Sequence, residues 1–381
     1  MPTPTTATND PSGDRAALLD REDVRAGVDD ALARAVTVLA DELAATHPDC
    51  EPLVVATRDL LSGGKRLRAA FCYWSWRAHG GDVADTVRRD AVLRAGAALE
   101  LFQAAALFHD DVMDSSDTRR GRPTAHRAFA ARHRELGWTG DADRYGENAA
   151  ILLGDIALIA SHRELGEATQ TVPRDVGARA LGVFGRMQTE VTAGQYLDVH
   201  AQVLPWDDAR PGELEERARA VIRTKSARYS VEHPIALGAA LAGADDAAIG
   251  AVGAFGLPLG EAFQLRDDVL GVFGDARVTG KPAGDDLREG KRTLLVLRAL
   301  ERAGRDDREL LIARLGDPRL DAASVGRVRE IIVATGALDD VETLIDELTV
   351  RATSALSDRG LRAPGADVLA ELARAAVRRS A

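Results

Sequence analysis

The chain has 381 residues, 45% hydrophobic and 29% charged, with a formal net charge of −11 at pH 7. That is ample for a sizeable core, and the acidic balance argues against nucleic acid or anionic membrane surfaces as main partners. The only cysteines, Cys50 and Cys72, have no metal or redox spacing, which fits a reducing, cytoplasmic setting.

The start, MPTPTTATNDPSGD, lacks the basic and apolar regions of a signal peptide and reads as a disordered tail over residues 1–15. No uninterrupted apolar run reaches the length of a membrane span, so no stable membrane insertion is expected. Residues 16–381 read as a single all-α domain. Ala, Leu, Arg and Glu recur at helical spacing, alternation is nearly absent, and about ten to fourteen helices with little or no sheet are expected. Gly- and Pro-bearing breaks fall near 79–82, 115–123, 137–146, 204–212, 276–290 and 359–365, each too short to link independent domains.

A first helix is predicted from Asp23 to Ala45, with Val24, Val28, Ala31, Leu32, Val36 and Leu39 on one face. A second, Leu53 to Leu61, follows Pro52, which suits a first helical turn. It leads into Ser62-Gly63-Gly64-Lys65-Arg66-Leu67-Arg68. Two glycines allow close backbone approach, and Lys65 and Arg68 share a face near a helix N-terminus, which together make a candidate phosphate site. Trp74 and Trp76 follow as expected core residues.

The helix from Thr86 to Asp114 is apolar on several faces and ends in FHDDVMDSSDTRRG. Asp110, Asp111, Asp114 and Asp117 would repel one another, and the helix C-terminus disfavours carboxylates. Asp110 and Asp114 point the same way, one turn apart. Such an oxygen-rich platform suits a hard divalent cation, Mg²⁺ above all, which recruits phosphate as a further ligand. Arg119 and Arg120 suit phosphate oxygens.

Helices are expected over Asn148–Glu167 and Arg174–His200, the latter carrying Gln195 and Asp198 as polar lining or exposed face. Leu214 to Leu241 reads as two helices meeting around Arg228–Pro234, with Lys225 and Ser226 just before. An apolar helix from Ala247 onward ends in a second acidic cluster, Phe263-Gln264-Leu265-Arg266-Asp267-Asp268. Two apolar helices that end in paired aspartates can face one another across a bundle cavity. A polar loop, TGKPAGDDLREGKRT, follows and is suited to closing over phosphates.

These signals occur in one order: GGKRLR, FHDDVMDSSDTRRG, the Lys225 segment, FQLRDD and TGKPAGDDLREGKRT. Together they resemble the trans-isoprenyl diphosphate synthases of the polyprenyl synthetase family, most of all the bacterial geranylgeranyl diphosphate synthases. The resemblance implies an all-α bundle around a deep cavity, a homodimer, and Mg²⁺, three ions per active site. Asp110, Asp114 and Asp267 would be the metal ligands, with Asp111 and Asp268 orienting them. Lys65, Arg68, Gln103 and Arg120 would bind isopentenyl diphosphate; Arg119, Lys225, Ser226, Gln264 and Lys281 would bind the allylic diphosphate. Lys225 and Lys281 would also assist catalysis. The second acidic motif departs from the family pattern, because Gly271 stands where a third aspartate is usual.

The implied reaction is head-to-tail condensation to a linear all-trans prenyl diphosphate. Its length would be set by what closes the cavity below the aspartates. Ala105 and Ala106 leave space, and Phe102, about 12 Å below Asp110 by helical rise, is the expected floor, which points to a C20 product. The same chemistry with a C15 or a C25-and-longer product is the alternative. A class I terpene cyclase fits less well, because the second metal motif would read Asp267, Gly271, Asp275 and aromatics are only 4% of the chain. A non-catalytic prenyl synthase subunit fits poorly with so complete an acidic and basic set.

Overall fold

The apolar stripe expected on the first helix is the one that is buried: Val24, Val28, Ala31, Leu32, Val36 and Leu39 all face the core of α1 (Val24–Thr46). The computed structural model describes residues 21–206, 212–274, 284–317, 319–357 and 360–377; the N-terminal segment 1–15 and Lys281 lie outside these. The described chain is almost wholly helical. After α1 come α2 (Glu51–Leu61), α3 (Leu67–Ala78), α4 (Thr86–Met113), α5 (Ala125–Glu135), α6 (Ala142–Gln170), α7 (Arg174–Val203), α8 (Glu213–Val221), a π-helix (Ile222–Glu232) and α9 (His233–Leu241). Then follow α10 (Asp246–Ala251), α11 (Gly253–Phe273), α12 (Asp285–Arg288), α13 (Leu294–Arg302), α14 (Arg305–Arg314), α15 (Ala322–Ala334), α16 (Ala337–Ser357) and α17 (Gly365–Val377).

The central element is α4. It packs along α6, α3 and α1, and its residues from Ala91 to Ala105 are nearly all buried. Asp85 caps its start by accepting from the Arg88 amide at 3.1 Å, and Asp114 closes its end. Two helical stretches, Thr86–Met113 and Asp246–Phe273, are long and apolar enough to cross a membrane by length and composition. The first is mostly buried within the bundle, which accounts for its hydropathy. Trp74 and Trp76 are fully buried on α3, as expected.

Two features differ from the sequence reading. The predicted break around Arg228–Pro234 is absent: α8, the π-helix and α9 run on continuously, and the helix widens over Ile222–Glu232. Pro234 has no amide hydrogen to donate, so a strict α ladder could not pass through it. Close packing bears on the same stretch, since a Cβ on Gly194 of α7 would lie 2.4 Å from the Lys225 amide nitrogen. The second feature is a small antiparallel ribbon, with Thr118 paired to Pro123 and Arg119 to Arg122. Arg120 (φ 53°) and Gly121 (φ 73°) form its turn, with both central residues in the left-handed region as such a hairpin demands.

Candidate active site

The end of α4 meets α7 and the π-helix in one charge network. Asp110 Oδ1 accepts from Gln195 Nε2 at 2.9 Å and lies 3.3 Å from Lys225 Nζ. Lys225 also pairs with Asp198 at 2.5 Å. Burial raises the Asp110 carboxyl, but Lys225, Lys291 and Arg119 outweigh it and hold the group below the usual range. The ribbon turns Arg119 back onto α4: its Nη2 is 2.6 Å from Asp111 Oδ1 and 3.7 Å from Asp110. Gln195 and Asp198, left open between lining and surface by the sequence, are lining.

Asp114 belongs to a second network. Lys291 Nζ lies 3.6 Å from Asp114, 3.6 Å from Asp286 and 2.5 Å from Glu289, and so bridges α4 to the segment after α11. Burial and the nearby Asp110 push the Asp114 carboxyl up to about 6. On α11, Asp267 is half-buried and Asp268 is buried. Gln264 Nε2 donates to Asp268 Oδ1 at 2.7 Å. Burial, then repulsion from Asp286, pushes Asp268 up to about 8. Arg266 fixes this helix to α16 through Glu342, at 2.5 and 2.6 Å.

Position 271 explains its own departure. A Cβ there would lie 1.8 Å from Asp286 Oδ2, so the space a fifth-position side chain would enter holds the Asp286 carboxylate.

The predicted isopentenyl-side residues fall into two groups, Lys65 and Arg120 at the GGKR loop and Arg68 and Gln103 around Tyr229. Gly63 (φ 75°), Gly64 (φ 92°) and Arg66 (φ 48°) give that loop its sharp course. Arg66 is structural: it is buried and bonds Asp29 at 2.8 Å, Glu100 at 3.3 Å and the Leu61 carbonyl at 2.6 Å. Lys65 is exposed at the loop. Arg120 lies over it, its Nη2 3.6 Å from where a Gly64 Cβ would stand. Arg68 and Gln103 meet through a residue the sequence reading passed over, Tyr229. Its hydroxyl donates to Gln103 Oε1, and the Arg68 guanidinium covers its ring at 4.3 Å. Arg68 Nη2 also donates to Ser230 Oγ at 2.9 Å. Ser226 is half-buried beside Lys225 on the same π-helix.

Below the aspartates, Ala105 is buried and Ala106 half-buried. Phe102 meets two aromatic edges, Phe184 of α7 at 6.1 Å and Tyr229 at 5.5 Å between ring centroids. Two helical elements, α7 and the π-helix, therefore close on Phe102 of α4.

The site offers hard carboxylate oxygens on two walls, with ammonium groups between them. Among the described residues, no three His, Cys, Asp or Glu side chains already converge as a metal-binding group. The donor chemistry nonetheless fits hard cations: burial first, and neighbouring carboxylates second, raise Asp114 and Asp268, and a divalent cation would offset both. Lys291, Asp286 and Tyr229 were not singled out from sequence. Their loop and helix were visible, but nothing local specified which side chain turns inward.

An all-α bundle with paired acidic motifs and a basic rim is thus the class of protein that fold and site define. The polyprenyl synthetase family profile matches residues 51–332. In structure, the chain is similar to geranylgeranyl pyrophosphate synthase from Corynebacterium glutamicum, complexed with isoprenyl diphosphate and magnesium, at 36% identity and a TM-score of 0.85, covering 93% of this chain and 98% of that one. It is 33% identical to geranylgeranyl diphosphate synthase of Mycobacterium tuberculosis over 82% of this chain and 79% of that protein. Geranylfarnesyl diphosphate synthase of Aeropyrum pernix is likewise 33% identical, over 80% of this chain and 86% of its own. The chain belongs to the polyprenyl synthetase family.

Proposed function

We propose that the protein is a trans-prenyltransferase acting in the cytoplasm, which condenses isopentenyl diphosphate with an allylic diphosphate to give geranylgeranyl diphosphate. The observation that carries this is the junction at Asp110 and Asp114, where Lys225 and Lys291 bind the end of α4 to α7, the π-helix and α12 with the turn that follows it. Asp110, Asp114 and Asp267 would hold Mg²⁺, three ions per site, with Asp111 and Asp268 orienting the ligands. Bound Mg²⁺ would supply electrostatic stabilisation of the departing diphosphate.

The chain's own residues bind and orient. Arg119, Lys225, Ser226, Gln264 and Lys281 hold the allylic diphosphate as its C1–O bond breaks; the positive charge of Arg119, Lys225 and Lys281 meets charge developing on the leaving oxygens, and Ser226 and Gln264 add hydrogen-bond donors. Lys65, Arg68, Arg120 and Gln103 hold isopentenyl diphosphate so that its double bond attacks C1. The new C–C bond forms, and a proton is lost to the departed diphosphate. Apolar side chains of α4 and α7 exclude water from the cationic carbon. The aromatic closure at Phe102 supports a C20 product.

A second copy would pair through the outward faces of α6 and α7. Leu152 and Ile159 are 58% and 60% exposed there, and the space over Gly182 and Gly185 is open to an approaching helix. Light scattering should give twice the chain mass, and Leu152→Glu with Ile159→Glu should return it to one. Release of inorganic diphosphate by the purified protein, abolished by EDTA and restored by Mg²⁺, tests the chemistry. A protein silent alone but active when mixed with another prenyl synthase would be a modulating subunit instead.

A further inference from the structure

We propose that Arg292 is the positioning residue for Lys291, through an anchor that joins its own segment to the C-terminal end of α7. This rests on the transferase reading above. Three consecutive residues, Lys291, Arg292 and Thr293, are anchored in three directions. Lys291 enters the acidic network at Glu289, Asp114 and Asp286. Thr293 caps α13, its Oγ1 accepting from the Val296 amide at 3.4 Å. Arg292 turns the other way: its Nη2 donates to the Gln202 carbonyl at 3.2 Å and to the Leu204 carbonyl, and its guanidinium lies 3.8 Å over the Trp206 ring.

The anchor uses what a helix end offers. The last carbonyls of α7 lack intrahelical donors and carry the negative end of the helix dipole. A planar guanidinium can donate to them and stack on an aromatic face at once, which an ammonium does less well. The helix so gripped is the one that presents Gln195 and Asp198 to Asp110 and Lys225. Arg292 therefore references the loop lysine to the wall that positions the other lysine. Neighbouring residues point to opposite sides of the segment, so a fixed Arg292 fixes the direction of Lys291. Lys291 stands against Asp114, beside the Asp110–Lys225 pair where the allylic diphosphate is placed above. Among the described residues the Arg292 contacts do not include the GGKR loop, so the effect belongs to the allylic diphosphate and not to isopentenyl diphosphate.

Arg292→Ala, Arg292→Lys and Trp206→Ala in the full-length protein test this. Binding of inorganic diphosphate with Mg²⁺ is measured by calorimetry, and KM is measured for each substrate. Arg292→Ala should weaken diphosphate binding and raise the allylic KM by about tenfold or more, with kcat reduced less and the isopentenyl KM unchanged. Trp206→Ala should give a smaller rise in the same constants, and Arg292→Lys, which keeps the charge but loses the planar stacked fork, should recover only part of the loss. A folded Arg292→Ala that binds diphosphate as tightly as wild type overturns the proposal. An equal rise in both KM values overturns it too, because that marks general loosening. Should Arg292→Ala not fold, Trp206→Ala decides, and an unchanged allylic KM there sinks the anchor. Wild-type protein that binds no diphosphate would reject the transferase reading instead.

Discussion

The carboxylate of Asp286 occupies the space that a side chain at Gly271 would need, with Oδ2 only 1.8 Å from the position of the missing Cβ. The second acidic motif is thus short by one aspartate in sequence and has one beside it in space, from α12. Gly271→Asp adds a charge and displaces Asp286. The Mg²⁺ concentration for half-maximal activity should rise about tenfold. Asp286→Asn should do the same, and the double variant Gly271→Asp/Asp286→Asn should recover toward wild type. A metal titration of the three variants checks this; a double variant worse than either single one would reject the exchange.

Metal binding should release protons. Asp114 titrates at about 6 and Asp268 at about 8 in the metal-free protein, both raised first by burial. Asp114 must be deprotonated to serve as a ligand, and Asp268 beside the ligand Asp267 loses its proton as positive charge arrives, so Mg²⁺ affinity should climb as pH rises through this window. The sign for stability is opposite. Above the ordinary aspartate value of 3.8 the native state keeps protons that the unfolded chain has lost, so metal-free stability should fall from pH ~4 toward pH ~8. Calorimetry in buffers of different ionisation enthalpy measures the protons released, and denaturant melts with EDTA measure the slope.

Removing the ring at Phe102 should lengthen the product. Phe102→Ala opens the closure made with Phe184 and Tyr229, at a stability cost of about 3–5 kcal/mol for a buried phenylalanine. Phe102→Leu should cost less and lengthen less. Chromatography of dephosphorylated products reads the distribution, and an unchanged spectrum removes Phe102 as the floor.

Tyr229→Phe keeps the ring under Arg68 and deletes the donor to Gln103. The freed Gln103 should raise the KM for isopentenyl diphosphate several-fold, within the roughly 1–3 kcal/mol of an unmet buried group, while the allylic KM stays constant. Steady-state kinetics with each substrate varied in turn separates the two.

Much of this was legible in the residue order. The stripe from Val24 to Leu39, the buried run ending at Asp110, and both acidic motifs are local patterns, in which spacing along one helix states which face is apolar and where charge accumulates. What stayed hidden depends on contacts between distant segments. The widening at Ile222–Glu232 answers to Pro234 and to the close approach of Gly194, which no 3.6-residue periodicity records. Arg66 looks like one more cation of a phosphate loop, yet Asp29 and Glu100 bury it as a brace. The β-turn at Arg120-Gly121 carries a hairpin composition too short to stand out from the surrounding charge. Asp286 could not be matched to Gly271 from sequence, because the two sit on different helices, α11 and α12, and no spacing along one helix states that they meet.

The decisive measurement is the product formed by purified protein from isopentenyl diphosphate and, in separate reactions, C5, C10 and C15 allylic diphosphates, with Mg²⁺ and with EDTA. A linear C20 prenyl diphosphate, formed only with Mg²⁺, is the expected result. A C15 product, or one of C25 and longer, would keep the chemistry and contradict the Phe102 closure. No linear product from any primer would contradict the central claim.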